Sequence, residues 1–174
     1  MWADFKKYLA DYTQKDQEQI ELAFHIAENS HKLQKRASGD PYITHPLAVA
    51  LEMIKLKLDA ATIAASLLHD VLEDTEMSKE ELAQQVGKEV TFLVEGLTKL
   101  DRVQYQGSER RVESTRKMFL AVAEDIRVVL IKLADRLHNM KTLGAIPPEK
   151  QKRTAEETLE LYAPLAYRLG MGEL

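Results

Sequence analysis

The chain has 174 residues, 45% of them hydrophobic and 30% charged, with a formal net charge of −4. That is the make-up of one ordinary globular domain, long enough to bury a sizeable core. It holds no cysteine, which excludes a disulfide framework and a thiolate zinc site. The negative balance argues against a general nucleic-acid binder, whose first mark is a basic face. It leaves room for a phosphorylated small molecule, because a bound divalent cation reverses the local sign of a site. No apolar run approaches the roughly 18–20 residues of a membrane span, and "MWADFKKYLADY" lacks the apolar stretch and cleavage site of a signal peptide. These features favour a cytoplasmic protein with no membrane partner.

Taken in chain order, apolar periodicity predicts helices over 17–35, 46–57, 60–73, 79–86, 89–99, 109–124, 126–143 and 149–169. A weaker segment lies near 3–12, so residues 1–16 read as an N-terminal extension or helix. "RASGD" (36–40) is turn chemistry, and Pro46 reads as the opening of a helix. Ser78 and Glu81 have capping-box spacing at the start of "MSKEELAQQVG", which Gly87 then closes. Pro148 falls in the first turn of the last helix, where its missing N–H costs nothing. No hairpin signal and no alternating strand appear. The expected fold is all-α, a single bundle of about eight or nine helices.

Two helices carry polar residues that an amphipathic pattern alone does not explain. In "LLHDVLEDT" (67–75), a continuous helix places Ser66, His69, Asp70 and Glu73 on one arc at i, i+3, i+4 and i+7. That arc has no Lys or Arg, so it reads either as an acidic wet face or as a metal site with a proton-handling carboxylate one turn on. In "DIRVVLIKLADRLHNMKTL" (125–143), Leu130, Leu133, Ala134 and Leu137 form one apolar stripe, while Val128 and Ile131 lie on another side. Asp135 lies in that second sector with His138, Asn139 and Thr142 at i+3, i+4 and i+7. A buried carboxylate there needs a cation, a strong hydrogen-bond network or a proton. An ion pair with a Lys or Arg is the bland account, and a metal ion is the sharper one. His45 stands at a helix entrance, from which a ring can reach inward. His25 and His31 have no ligand-type neighbour at useful spacing and read as structural.

The order His45, then His69-Asp70, then Asp135 resembles that of the HD-domain metal-dependent phosphohydrolases. The blocks "RASGDPYITHPLAVA", "AASLLHDVLEDT", "VEGLTKLD", "RKMFLAVAEDIRVVLIKLADRLHNMKTL" and "ETLELYAPLAYRLGMGEL" are similar to the hydrolase domain of the RelA/SpoT family, from about residue 17 onward. These enzymes make and destroy the alarmone (p)ppGpp. The resemblance implies that His45, His69, Asp70 and Asp135 bind one Mn²⁺, a metal that nitrogen and carboxylate ligands also suit. It implies that Glu73 and Asp74 flank the attacking water. It assigns Arg36 and Ser38 to the guanine base, Asn139 and Thr142 to nucleotide contacts, and Lys99 to a phosphate. Ala37 stands where some relatives have Lys, which removes one basic contact.

The implied activity is hydrolysis of the 3′-diphosphate of (p)ppGpp to GDP or GTP and pyrophosphate, which ends the stringent response. The implied partner is that guanosine nucleotide, with no nucleic acid. Residues 1–174 read as one HD-type hydrolase domain, in which 147–174 form a C-terminal helix leading toward a synthetase domain in longer family members. Nothing in this stretch corresponds to that second domain. The alternatives are an HD phosphohydrolase of another phosphorylated nucleotide, or a module that binds the alarmone without cleaving it.

Overall fold

A computed structural model describes residues 1–101, 116, 120, 121 and 123–171. The helices are α1 (Trp2–Phe5), α2 (Gln14–Ser30), α3 (Thr44–Lys55), α4 (Ala60–Leu67), α5 (Val71–Asp74), α6 (Lys79–Asp101), α7 (Ile126–Lys141), α8 (Pro148–Glu157) and α9 (Ala163–Arg168). The described residues contain no strand beyond one isolated bridge between Lys35 and Pro41. The all-α expectation therefore holds, with helices shorter and more broken than the periodicity suggested.

At the centre lies α4, "AATIAASL", in which all eight residues are buried. A helix apolar on every side must be enclosed, and α4 packs against α2, α3, α6 and α7. Its start is fixed by Asp59, whose carboxylate accepts from the Thr62 N–H at 2.9 Å. The main core gathers Ile20, Phe24, Val49, Met53, Leu93, Leu97 and Ile131 around its Ile63 and Leu67. A smaller cluster of Val129, Leu133, Leu161, Tyr162 and Leu165 seats the C-terminal helices on α7.

Several expected boundaries are corrected. The first long helix begins at Gln14 rather than 17, because Thr13 and Asp16 form a reciprocal cap, and it ends at Ser30 rather than 35. The N-terminal segment is the short α1 plus a 3₁₀ turn, Lys6–Leu9, held to the core by Trp2 stacked on Phe24 at 4.2 Å. The last helix is not continuous over 149–169, since a π-turn at Thr158–Tyr162 separates α8 from α9. The helix expected over 109–124 falls mostly outside the described residues.

The correction of most consequence is at 60–73, where the continuous helix is broken at Leu68–Asp70. The Leu68 N–H bonds to Ala65 and the Val71 N–H to Leu68, both three residues back. The Ser66 carbonyl, which a continuous helix would give to the Asp70 N–H, accepts from the His69 ring nitrogen at 2.8 Å. A side chain that competes for a backbone acceptor in this way ends a helix without Pro or Gly. The expected single arc of Ser66, His69, Asp70 and Glu73 therefore does not exist, and the Ser66 hydroxyl is turned back to the Ile63 carbonyl.

The Ser78–Glu81 capping box forms as expected. Gly87 adopts φ +82°, which kinks α6 between the two helices predicted there. Further along, Gly96 lets α6 approach α7: a Cβ at that position would lie 2.9 Å from Val128 Cγ2. At the start of α7, Asp125 caps the helix, and Arg127 bridges Asp125, Glu89 and Asp59.

Gly96→Ala should destabilise the fold by roughly 1–3 kcal/mol through overpacking, despite the better helix propensity of Ala. Adding Val128→Ala should recover part of the loss, read from urea unfolding. Hydrogen bonds from Arg127 hold the Asp125 carboxyl below its ordinary range, so its contribution is present above about pH 4 and is lost as pH falls through the folded-state value. Asp125→Ala should cost about 1–2 kcal/mol near neutral pH, a difference that shrinks on acidification.

Candidate active site

Three buried polar side chains converge where α3, the broken end of α4 and α7 meet. His45 is the second residue of α3, and its Nε2 lies 3.2 Å from His69 Nε2 and 3.2 Å from Asp135 Oδ1. Asp70 adds Oδ2 at 3.1 Å from His69 Nε2 and 3.8 Å from His45 Nε2. The ligand-type atoms of His45, His69 and Asp70 all lie within 4.8 Å of one another. Asp135 joins this group through His45.

Asp135 is only 5% exposed, so its charge must be met inside the protein. Lys132, one turn earlier on α7 and equally buried, donates to its Oδ2 at 2.8 Å, and Asn139 Nδ2 donates to its Oδ1 at 2.6 Å. The ion pair with a lysine and the convergence on two imidazoles thus coexist. Burial opposes the charge of Asp135, but Lys132 and the imidazoles outweigh it and hold the carboxyl well below its usual range. Asp70 is likewise held down, burial being overcome by His69. Burial alone would push His69 down, yet the carboxylates raise it to about 9. His45 and His138 are both lowered, chiefly by burial, the latter to about 4.

From this cluster a hydrogen-bonded path leads outward. Asn139 Oδ1 accepts from Arg36 at 2.8 Å. Arg36 in turn lines a cavity of about 300 Å³ with Ser38, Tyr42, Asn139, Thr142 and Ile146. Ser38 donates to Asp40, and Thr142 donates to the His138 carbonyl. Four of the five residues expected around a nucleotide therefore share one cavity. Lys99 is the exception: it pairs with Glu95 at 3.3 Å and lines a separate groove with Phe92, Leu120, Glu124 and Val128. Glu73 and Asp74 lie exposed on α5, just past the break.

Sequence reasoning missed Tyr42 and, although it placed His138 on the face of Asp135, gave that residue no role. Tyr42 donates from its hydroxyl to Asp70 at 2.7 Å and to Asp74 at 2.9 Å, tying the cluster to the exposed acidic pair. It also stacks on His31, which supports the structural reading of that histidine. It stands in the turn just before α3, outside the helical pattern, so periodicity carried no signal for it. His138 is the second, with Nδ1 at 2.8 Å from His45 Nδ1.

The HD domain family pattern matches residues 23–172. The chain belongs to the HD domain family. Its relatives within that family are of the RelA/SpoT kind. It is 47% identical over 173 residues to the bifunctional (p)ppGpp synthase/hydrolase SpoT of Escherichia coli K12, covering 98% of this chain and 25% of that protein. It is 55% identical over 156 residues to a GTP pyrophosphokinase of Streptomyces coelicolor, covering 90% and 18%. To the guanosine-3′,5′-bis(diphosphate) 3′-pyrophosphohydrolase of Aquifex aeolicus it is 49% identical over 168 residues, covering 97% and 24%. The HD domain chain thus spans a quarter or less of the length of these curated relatives. Among solved structures it is similar to a metazoan ortholog of SpoT that hydrolyzes ppGpp, with TM-score 0.66 and 27% identity over 82% of this chain and 83% of that one.

Asp135→Ala should cost about 3–5 kcal/mol in unfolding free energy, because it removes the buried partner of the Lys132 ammonium. Chemical denaturation of the metal-free protein measures this.

Proposed function

We propose that this HD domain hydrolyses the 3′-diphosphate of (p)ppGpp, using a divalent ion that we take to be Mn²⁺. The observation that carries the reading is the path from the buried His45–His69–Asp70–Asp135 cluster, through Asn139 and Arg36, to the polar-lined cavity. That cavity is at the small end of the ligand-pocket range, about 300–1,000 Å³, and its Arg, Asn and hydroxyl groups suit a purine base and ribose. The names of the relatives supply the substrate class. One relative is named for synthesis of the nucleotide rather than its breakdown, but every residue that the resemblance ties to hydrolysis is present in this chain.

The donor set fits the ion. Two imidazole Nε2 atoms and two carboxylates face one another in a buried space, which is the nitrogen and oxygen ligation that Mn²⁺ accepts. When bound, the ion would supply Lewis-acid chemistry, lowering the pKa of water and neutralising phosphoryl charge. The protein's own residues do the rest. Glu73 takes a proton from the attacking water, and Asp74, held by Tyr42, orients it. Arg36 lays its guanidinium against the base while Asn139 and Ser38 hydrogen-bond to the nucleoside. Water adds to phosphorus, the bond to the ribose 3′-oxygen breaks, and pyrophosphate leaves with GDP or GTP. The cell's use of this reaction would be to end a stringent response in the cytoplasm.

Metal-stripped protein incubated with ppGpp should release GDP and pyrophosphate only after Mn²⁺ is added, followed by ion-exchange chromatography. Tight binding without cleavage would point instead to an alarmone sensor, and no binding to another phosphorylated nucleotide. Glu73→Gln should retain Mn²⁺ and nucleotide binding while kcat falls by about 10²–10⁴-fold. Unchanged turnover would remove Glu73 from the proton-handling role.

A further inference from the structure

His45 and His69 present their rings to the cluster by different means. The Nδ1 of His69 faces the Ser66 carbonyl oxygen at 2.8 Å. A carbonyl only accepts, so the Nδ1 proton of His69 is fixed and Nε2 is the atom left for the cluster. His45 has no such obligate acceptor. Its Nδ1 faces another imidazole nitrogen, His138 Nδ1, at 2.8 Å, and an imidazole nitrogen donates or accepts according to its tautomer.

Two arrangements of protons satisfy this pair. In the first, His45 keeps its proton on Nε2, toward Asp135 Oδ1 at 3.2 Å, and its Nδ1 accepts from His138. In that form His45 has no lone pair to offer a cation. In the second, His45 donates from Nδ1 to His138, and the Nε2 lone pair faces His69 and the two carboxylates.

We propose that His138 is a positioning residue that accepts the Nδ1 proton of His45 and so holds His45 in the tautomer that can bind a divalent cation. The proposal rests on reading His45 as a metal ligand. Imidazoles that ligate metals ordinarily donate their other N–H to a carboxylate, a backbone carbonyl or water. Here a second imidazole occupies that place and carries its own proton on Nε2. Its placement follows from α7: His138 lies one turn after Asp135, so one helix supplies both the carboxylate and the group that orients the facing histidine. The turn is in turn secured by the Thr142 hydroxyl, which donates to the His138 carbonyl at 3.0 Å.

The test compares wild type, His138→Leu and His138→Gln as metal-stripped full chains. Mn²⁺ affinity is measured by titration calorimetry and by the electron paramagnetic resonance signal of the free ion. The Leu variant, which offers no acceptor, should bind Mn²⁺ about 10–100-fold more weakly. The Gln variant, whose side-chain carbonyl can accept from His45, should stay within a few-fold of wild type. Thermal unfolding of each metal-free form is followed in parallel, and His138→Ala provides the acceptor-free comparison if the Leu variant folds poorly. Equal affinity in all forms, or equal loss in the acceptor-free and Gln variants, would overturn the proposal. A wild-type protein that binds no Mn²⁺ would overturn the reading of the cluster as a metal centre, and the proposal with it. The wild-type isotherm separates the two failures.

Discussion

Asp135 carries a negative charge in the interior of a helical bundle, and the arrangement of the site follows from what that charge requires. Desolvating a carboxylate is costly unless nearly every lone pair is met. Lys132 supplies opposite charge along the same helix, Asn139 supplies an amide, and His45 approaches from α3. Two of these partners are held by something else in turn: Asn139 by Arg36 and His45 by His138. The polar interior is therefore one connected network, in which low dielectric strengthens satisfied bonds and penalises any missing one.

The apolar scaffold decides where this network sits. Enclosure of α4 on every side leaves its C-terminal end as the place where polar groups can emerge, and the bond from the His69 ring to the Ser66 carbonyl stops the helix there. The break turns Asp70 toward His69 and places α5, with Glu73 and Asp74, at the surface. Gly96 brings α6 close to α7 at Val128, seven residues before Asp135, so the close approach of two helices is set near the cluster without intruding on it.

How much of this could be read in the sequence depended on whether the signal was local. Ser78 with Glu81, Gly87 and Pro148 announced their helix ends, because caps and breakers act within a turn. His45, His69, Asp70 and Asp135 were legible as a set through the order they share with the HD-domain phosphohydrolases, whereas on the residues alone only Asp135 stood out as a costly group in an apolar setting. The break after Leu67 was not legible, since Leu68, His69 and Asp70 carry no breaker and the helix ends on a side-chain bond that only the folded ring can make. Tyr42 went unnoticed, and His138 was left without a role, for a different reason. Their roles come from contacts 28 and 93 residues away in the chain, and no local pattern encodes such a pairing. An ion pair of Asp135 with a Lys or Arg was anticipated without naming the partner, and Lys132 fills that place from one turn earlier on the same helix.

Because α4 has no exposed face, the groups at its end inherit the rigidity of the core. His69 is 4% exposed and His45 1%, and both rings are fixed through their far nitrogens. The loss of side-chain freedom in these two rings has already been given up when the chain folds. If the cluster is the metal centre proposed above, an arriving ion would meet a preorganised cage, and more of its interaction free energy would appear as affinity rather than as ordering of the protein.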